Sequence, residues 1–202
     1  RALEQQIRSG QQSWAKVVAL QPQWKSLPSG ILQTWFDGAL VTIQSLATLM
    51  ISQSDNTATD ALIQIVGRAS VEALTTRNQP FLTTREAFIL KVPENQMWLD
   101  RYRKSNLEQK RQVLNELAQV PLPAVNSLMG SPTALDIEWF FTPRELCQLM
   151  KEVADLPLMH VNPSALLNPG DWTQVAYKGG SEPGVLNLTT QLRDRKGKTY
   201  CI

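Results

Sequence analysis

The chain has 202 residues, 43% of them hydrophobic, so it can bury a sizeable core in one domain or in two closely joined lobes. Its formal net charge is only +2, which gives no electrostatic reason to expect binding to nucleic acid or to a membrane surface. Its hydrophobic runs are too short to span a membrane, no signal-peptide pattern opens the sequence, and one histidine and two cysteines make no metal-ligand cluster.

Helical patterns fill most of the chain. Ala2 to Arg8 is typical of the end of a helix closed by Ser9-Gly10, so we expect the chain to begin within a helix. Later helices are marked by residues that cap N-termini. These are Thr42, Thr83 or Thr84 for a helix through Leu90, Asn106 with Gln109 for a helix through Val120, and Thr142-Pro143-Arg144-Glu145. In the helix that follows Thr142, Cys147 lies among apolar residues, which predicts a buried structural thiol.

The last forty residues change to alternating, strand-like sequence. Thr173 to Lys178 and Val185 to Leu192 predict two strands, and a turn at 194–197 leads into a third that we expect to be cut by the chain end. We therefore expect the apolar side chains of Leu186, Leu188 and Leu192 to be exposed. Helices followed by an antiparallel hairpin predict an α+β fold. We divide the chain into a mainly helical lobe over 1–157 and part of a sheet lobe over 158–202.

A polar stretch, Ser54-Asp55-Asn56, interrupts two amphipathic helical patterns at the point where the two helices should meet. These residue types disfavour helix interiors because their side chains compete for nearby backbone groups. An ordinary helix–turn–helix with Asp55 or Thr57 as N-cap would explain them. A catalytic turn would explain them equally well.

A second polar stretch, Lys178-Gly179-Gly180-Ser181, follows the first predicted strand. A lysine that ends a strand, followed by two glycines, lets a ligand approach the backbone beside a fixed positive charge. An ordinary loop has the same composition, so this stretch alone does not identify a site.

Taken together and in this order, the two stretches resemble two of the three motifs of the penicillin-recognising serine hydrolases, which include class A β-lactamases and penicillin-binding proteins. Ser54-Asp55-Asn56 matches the Ser-Asp-Asn motif in full. Lys178-Gly179-Gly180 matches Lys-Thr/Ser-Gly with glycine at the middle position. The resemblance implies a helical lobe joined to an antiparallel sheet lobe, and acyl-enzyme chemistry on a β-lactam, an ester or a peptidoglycan-like amide.

The resemblance also implies roles for single residues. Ser54 and Lys178 would be catalytic, with Ser54 passing a proton to the leaving nitrogen and Lys178 holding the site positive. Asn56, Gly179, Gly180 and Ser181 would bind substrate, with the Ser181 N–H as an oxyanion donor. Asp55 would point inward and hold the turn. No metal and no cofactor are implied.

The third motif, Ser-x-x-Lys, is expected just ahead of Arg1, at the start of the helix that ends at Ser9. Ser13-Trp14-Ala15-Lys16 fits the motif as a string of letters. It follows that helix, however, in irregular or strand-like sequence, where Ser13 and Lys16 would point to opposite faces. We therefore do not expect Ser13 to be the nucleophile.

Class A enzymes also use a loop glutamate for deacylation. The corresponding stretch here has no Glu-x-x-x-Asn, and the nearest carboxylates are Glu138 and Asp136, which are more often structural charges. One alternative is therefore a non-catalytic binding protein with a degenerate cleft. Another is an esterase or a peptidoglycan carboxypeptidase. The resemblance implies a small-molecule substrate and a periplasmic or extracellular location, and the sequence does not predict an oligomeric state.

Overall fold

The computed structural model describes residues 1–128, 130–163 and 167–202, with the exception of the side chain of Pro169. The α-helices in these residues are α1 (Ala2–Arg8), α2 (Ile43–Ser52), α3 (Asn56–Val66), α4 (Arg68–Glu72), α5 (Thr84–Lys91), α6 (Gln96–Lys104), α7 (Leu107–Leu117) and α8 (Pro143–Val153). The strands are β1 (Val17–Ala19), β2 (Leu40–Thr42), β3 (Gln174–Glu182), β4 (Val185–Arg193) and β5 (Thr199–Cys201).

The strands form two separate antiparallel sheets. β1 pairs with β2 inside the helical part of the chain, and the order of the second sheet is β3-β4-β5. All eight described α-helices precede this second sheet, so the predicted α+β class is confirmed. The boundary between residues 157 and 158 stays a prediction.

The helices begin where the cap patterns place them. Thr42 accepts a hydrogen bond from the Ser45 N–H, and Thr83 forms a capping box with Glu86. The predicted boxes of Asn106 with Gln109 and of Thr142 with Glu145 are also present. Each of these caps joins residues three apart, so the local sequence is enough to specify it. α7 ends at Leu117, three residues earlier than predicted.

Among the residues that the structure describes, three apolar clusters form most of the core. The first joins β2, α2 and α3 through residues such as Ile43, Leu46 and Ala61. The second joins α5, α6 and α7 through Ile89, Leu90 and Leu117. The third is smaller and lies under the sheet, with Met150, Ala154, Met159 and Ala176 at its centre. This third cluster packs α8 and the 3-10 turn Pro157–His160 against β3, and so positions the sheet next to the end of α2.

Two expectations about the sheet region are wrong. Cys147 is not a free thiol, because it forms a disulfide with Cys201 that ties α8 to β5. Leu192 is buried, whereas Leu186 and Leu188 are exposed as expected, Leu186 to 71%. The exposed end of β4 therefore lies toward the β3–β4 turn, and the other end is covered.

Within the described residues, no helix combines the length and the apolar character that crossing a membrane requires.

Candidate active site

Asp55 is the structural centre of the Ser54-Asp55-Asn56 turn. It is fully buried, and its Oδ1 accepts the Ala58 N–H at 2.8 Å as the N-cap of α3. Its Oδ2 accepts the backbone N–H groups of Ile31 and Leu32 at 2.7 and 3.0 Å. A buried carboxylate that accepts three N–H bonds is well compensated. The expectation that Asp55 points inward and holds the turn therefore agrees with its contacts.

The loop of residues 27–32 forms a cradle around this turn. Ser29 Oγ donates to the Ser54 carbonyl at 2.5 Å, and the Ser29 carbonyl accepts the Asn56 N–H at 3.2 Å. Gly30 has φ +94°, and a Cβ there would overlap the Asp55 carboxylate. The sequence analysis did not include this loop in the site. The signal it offers is the turn composition of Pro28-Ser29-Gly30, which does not indicate Asp55 as the partner.

Ser54 has a strained backbone and a defined side-chain partner. Its φ of 53° lies in the left-handed region, which costs a non-glycine residue roughly 1–3 kcal/mol and is often found at functional sites. The Lys178 Nζ donates to Ser54 Oγ at 2.6 Å across 124 residues of sequence. The structure therefore brings the two residues expected to be catalytic into direct contact.

Lys178 lies within β3 and does not end a strand, because β3 continues through both glycines to Glu182. The prediction of a strand end at this residue is wrong. Lys178 pairs with Thr189 on β4, and its Nζ also contacts the Gly179 carbonyl. Burial lowers the pKa of the Lys178 ammonium from its ordinary value. The site thus holds a cation whose charge is destabilised by desolvation.

The two glycines of β3 differ in what surrounds them. A Cβ on Gly179 would overlap the hydroxyl of Tyr177, whereas a Cβ on Gly180 would meet open space. Ser181 follows on the exposed part of the strand, opposite Leu186 of β4. Gly179 therefore lies against the Tyr177 side chain, and Gly180 lies on a side of the strand that a ligand can approach.

Asn56 lies two residues after Ser54, and its side chain is bonded to the cradle. Its Nδ2 donates to the Leu27 carbonyl at 2.9 Å. Across the described ranges no hydrogen bond links Asn56 to Ser54 or Lys178, which bond to each other. The Asn56 Oδ1 can accept a hydrogen bond from a ligand.

An apolar cavity of about 490 Å³ adjoins the site. Lys178, Gly179 and Gly180 line one side, and the N-terminal residues Arg1 to Leu3 line another. The remaining wall is almost entirely hydrophobic, with Leu62, Ile63, Val66, Leu74, Phe141, Leu149 and Met150 among its residues. The lysine thus presents its charge at the edge of a hydrophobic chamber.

Other candidate residues lie outside this arrangement. Ser13 is exposed, its Oγ accepts the Ala15 N–H, and Lys16 bonds to Gln12. Asp136 forms an ion pair with Arg103, and Glu138 forms one with Lys91. The Arg103 hydrogen bond lowers the pKa of Asp136, so this carboxylate is a poor base. Among the residues that the structure describes, no cluster of His, Cys, Asp and Glu could hold a metal ion.

Residues 2–158 match the model of a family described as the beta-lactamase enzyme family. The chain belongs to this family. The match covers the whole helical part, including the turn that carries Ser54, and stops before β3. A search of curated proteins finds no match.

Solved structures of this family share the fold over nearly the whole chain. A β-lactamase from Sphaerobacter thermophilus is 21% identical with a TM-score of 0.61, and the match covers 99% of this chain and 68% of that one. PBP-A, in an acyl-enzyme complex with penicillin G, is 18% identical with a TM-score of 0.58, at 99% and 66% coverage. A Chitinophaga pinensis β-lactamase is also 18% identical, with a TM-score of 0.57 and coverages of 98% and 69%. The chain thus spans about two thirds of their length, and at these identities the likeness concerns the fold alone.

Proposed function

We propose that this protein is a serine hydrolase of the β-lactamase and penicillin-binding class. A serine oxygen attacks the carbonyl carbon of an amide or ester, the bond to the leaving nitrogen or oxygen breaks, and the serine proton is passed to that leaving atom. The observation that carries the proposal is the 2.6 Å hydrogen bond from Lys178 Nζ to Ser54 Oγ at the edge of the cavity.

The direction of that hydrogen bond suits Ser54 to proton delivery. Because the ammonium donates to Oγ, the hydroxyl hydrogen of Ser54 is free to point at a leaving nitrogen. Once Ser54 gives up this proton, the adjacent Lys178 can replace it. The lowered pKa of Lys178 makes this second transfer easier. Lys178 also offers a positive charge to a substrate carboxylate.

The substrate in this proposal lies along β3, with its carbonyl oxygen near Ser181. Gly180 leaves open space beside the strand, and the Ser181 N–H acts as one oxyanion donor. The Asn56 Oδ1 accepts a hydrogen bond from the acyl side chain. These roles assign Asn56, Gly179, Gly180 and Ser181 to substrate binding.

The nucleophile in this proposal belongs to a Ser-x-x-Lys segment that precedes Arg1. Two observations support this assignment. The cavity adjoins the N-terminal residues of α1, and a further helical turn could cover its apolar wall. The alternative nucleophile, Ser13, is exposed and bonded within its own turn.

One observation favours a stable acyl-enzyme over rapid hydrolysis. Glu138 and Asp136, the two carboxylates that the sequence suggests as a deacylation base, form ion pairs with basic side chains. The Arg103 hydrogen bond lowers the pKa of Asp136 and makes it a weaker base, and the carboxylate of Glu138 is occupied by Lys91. We therefore favour penicillin binding, or slow esterase or carboxypeptidase activity, over efficient β-lactam hydrolysis. A non-catalytic binder is the remaining alternative.

Fluorescent penicillin tests the proposal on two proteins, residues 1–202 and the natural chain including any residues upstream of Arg1. We expect residues 1–202 to be unlabelled and inactive toward nitrocefin. We expect the natural chain to be labelled at the serine of Ser-x-x-Lys, as mapped by peptide mass analysis. A label on Ser13 would show that the nucleophile is assigned wrongly. Reversible binding without a label on either protein would favour the non-catalytic binder.

We also propose a small-molecule substrate and a periplasmic or extracellular location. The disulfide between Cys147 and Cys201 supports this location, because such bonds persist mainly in oxidising compartments.

A further inference from the structure

A buried lysine joins three segments of the protein at the far end of β3. Lys91 is the last residue of α5 and is only 6% exposed. Its Nζ contacts Glu138 and donates to both carboxylate oxygens of Glu182, at 2.6 and 2.8 Å. Glu182 is the last residue of β3, directly after Ser181. Lys91 thus links α5, the segment around Glu138 and the end of the strand.

This link adds to the contact that Lys178 makes between β3 and the helical lobe. Side chains alternate along a strand, so Lys178 and Glu182 point to the same face, and Gly180 between them has no side chain. Lys178 contacts Ser54 before α3, and Glu182 contacts Lys91 at the end of α5. The two contacts are four residues apart, or about 13 Å along the strand. The stretch expected to bind substrate, residues 179–181, lies between them.

The turn after Glu182 reinforces the contact. Gly184 has φ +87°, and a Cβ there would lie 2.7 Å from Pro132 Cγ, so the turn packs against the segment that leads to Glu138. Lys91 holds that same segment through Glu138. A buried ammonium between two carboxylates restrains both of them, because removing the lysine leaves two carboxylates without their counter-charge.

We propose that Lys91 is a positioning residue that holds the Ser181 end of β3 at a fixed distance from Ser54. It touches neither Ser54 nor Lys178 directly. It acts through Glu182, which sets where the Ser181 N–H lies. The consequence for catalysis rests on the proposed function, whereas the restraint on β3 does not.

The experiment compares three variants of the natural chain with the wild type. Lys91→Met removes the link, and the triple variant K91M/E138Q/E182Q removes it without leaving buried charges, which protects folding. Glu138→Gln is the matched control, because it keeps the bond from Lys91 to Glu182. Hydrogen exchange of peptides covering 179–184 and 174–178 measures the restraint, and the labelling rate with fluorescent penicillin measures its consequence.

We expect exchange over 179–184 to rise about tenfold in Lys91→Met and in the triple variant, with little change over 174–178 and in Glu138→Gln. We expect the labelling rates of Lys91→Met and the triple variant to fall by a similar factor, while their reversible binding of penicillin changes less. Unchanged exchange over 179–184 in the triple variant would overturn the proposal, as would faster exchange without slower labelling. If the wild type is not labelled at all, the proposed function fails and the exchange result alone decides the role of Lys91.

Discussion

At the scale of single residues, Ser54 combines an unfavourable backbone with a well-defined environment. Two hydrogen bonds stabilise its left-handed backbone conformation: Ser29 Oγ donates to the Ser54 carbonyl, and Lys178 Nζ donates to the Ser54 hydroxyl. The turn thus holds Ser54 Oγ in one orientation before any substrate arrives. Such preorganisation lowers the cost of reaching the transition state.

We predict that Ser54→Ala slows acylation of the natural chain much more than it weakens reversible binding. The hydroxyl acts mainly when the leaving nitrogen takes its proton, and general acid catalysis contributes about 100-fold or more. Stopped-flow labelling with fluorescent penicillin separates the two effects. Ser52→Ala is the control, since Ser52 Oγ donates to the Thr48 carbonyl within its own helix. Equal acylation rates in Ser54→Ala and wild type would remove Ser54 from the mechanism.

We predict that labelling declines at alkaline pH as Lys178 loses its proton. Burial lowers the pKa of this ammonium below the ordinary 10.5, so the neutral form begins to accumulate at lower pH than for a free lysine. The charged form is the one that donates to Ser54 and attracts a carboxylate, so the rate falls as pH rises through this pKa. A pH–rate profile corrected for chemical hydrolysis of the reagent measures the effect.

Lys178→Arg is the matched control for this profile, because a guanidinium stays protonated well above this range. The variant should label more slowly but without the alkaline decline. The same decline in Lys178→Arg would assign the titration to another group.

At the scale of elements, the cradle and α3 stabilise each other through Asp55. The carboxylate caps α3 and at the same time closes the loop through Ile31 and Leu32. The start of α3 therefore cannot shift without breaking the loop, and the loop fixes the residues on either side of Asp55.

We predict that Gly30→Ala destabilises the protein more than Gly10→Ala does. Both glycines have positive φ, at +94° and +76°. Alanine at Gly10 meets open space and pays only the conformational penalty, about 1–2 kcal/mol. Alanine at Gly30 also overlaps Asp55, so we expect a loss of about 3 kcal/mol or more in the free energy of unfolding. Urea unfolding of both variants measures the difference. Equal losses in the free energy of unfolding would contradict the role given to the cradle.

How much of the structure the sequence predicts depends on how far apart in the chain the contacting residues lie. The caps of α2, α5, α7 and α8 join residues three apart, so they could be assigned from local pattern. Asp55 meets its cradle 23 and 24 residues away, and Lys91 meets Glu182 at a separation of 91 residues. No periodicity encodes such pairings. Ser54 and Lys178 were assigned to one site only because their motifs resemble those of a known family, and their contact depends on tertiary packing.

At the scale of the whole molecule, the disulfide fastens the sheet to the helices. Cys147 of α8 and Cys201 of β5 are 54 residues apart, and the loop between them contains β3 and β4. Closing such a loop restricts the unfolded chain far more than the folded one.

We predict that Cys147→Ser with Cys201→Ser lowers the free energy of unfolding by about 2–4 kcal/mol. The loss arises chiefly from the greater freedom of the unfolded chain, since both side chains are only partly buried. Urea unfolding of the double variant measures it, with the reduced wild type as an independent comparison. Unchanged stability in both would show that the sheet is held by packing alone.

The long separation between Ser54 and Lys178 also determines when the site can exist. The two side chains are 124 positions apart in the sequence, so they meet only after the sheet has docked on the helices. A partly folded chain with intact helices but a detached sheet would retain most of its helical circular dichroism signal and lack this contact. Covalent capture of penicillin by the natural chain would therefore count only completely folded molecules, so the same reagent could serve as a sensitive gauge of folding yield.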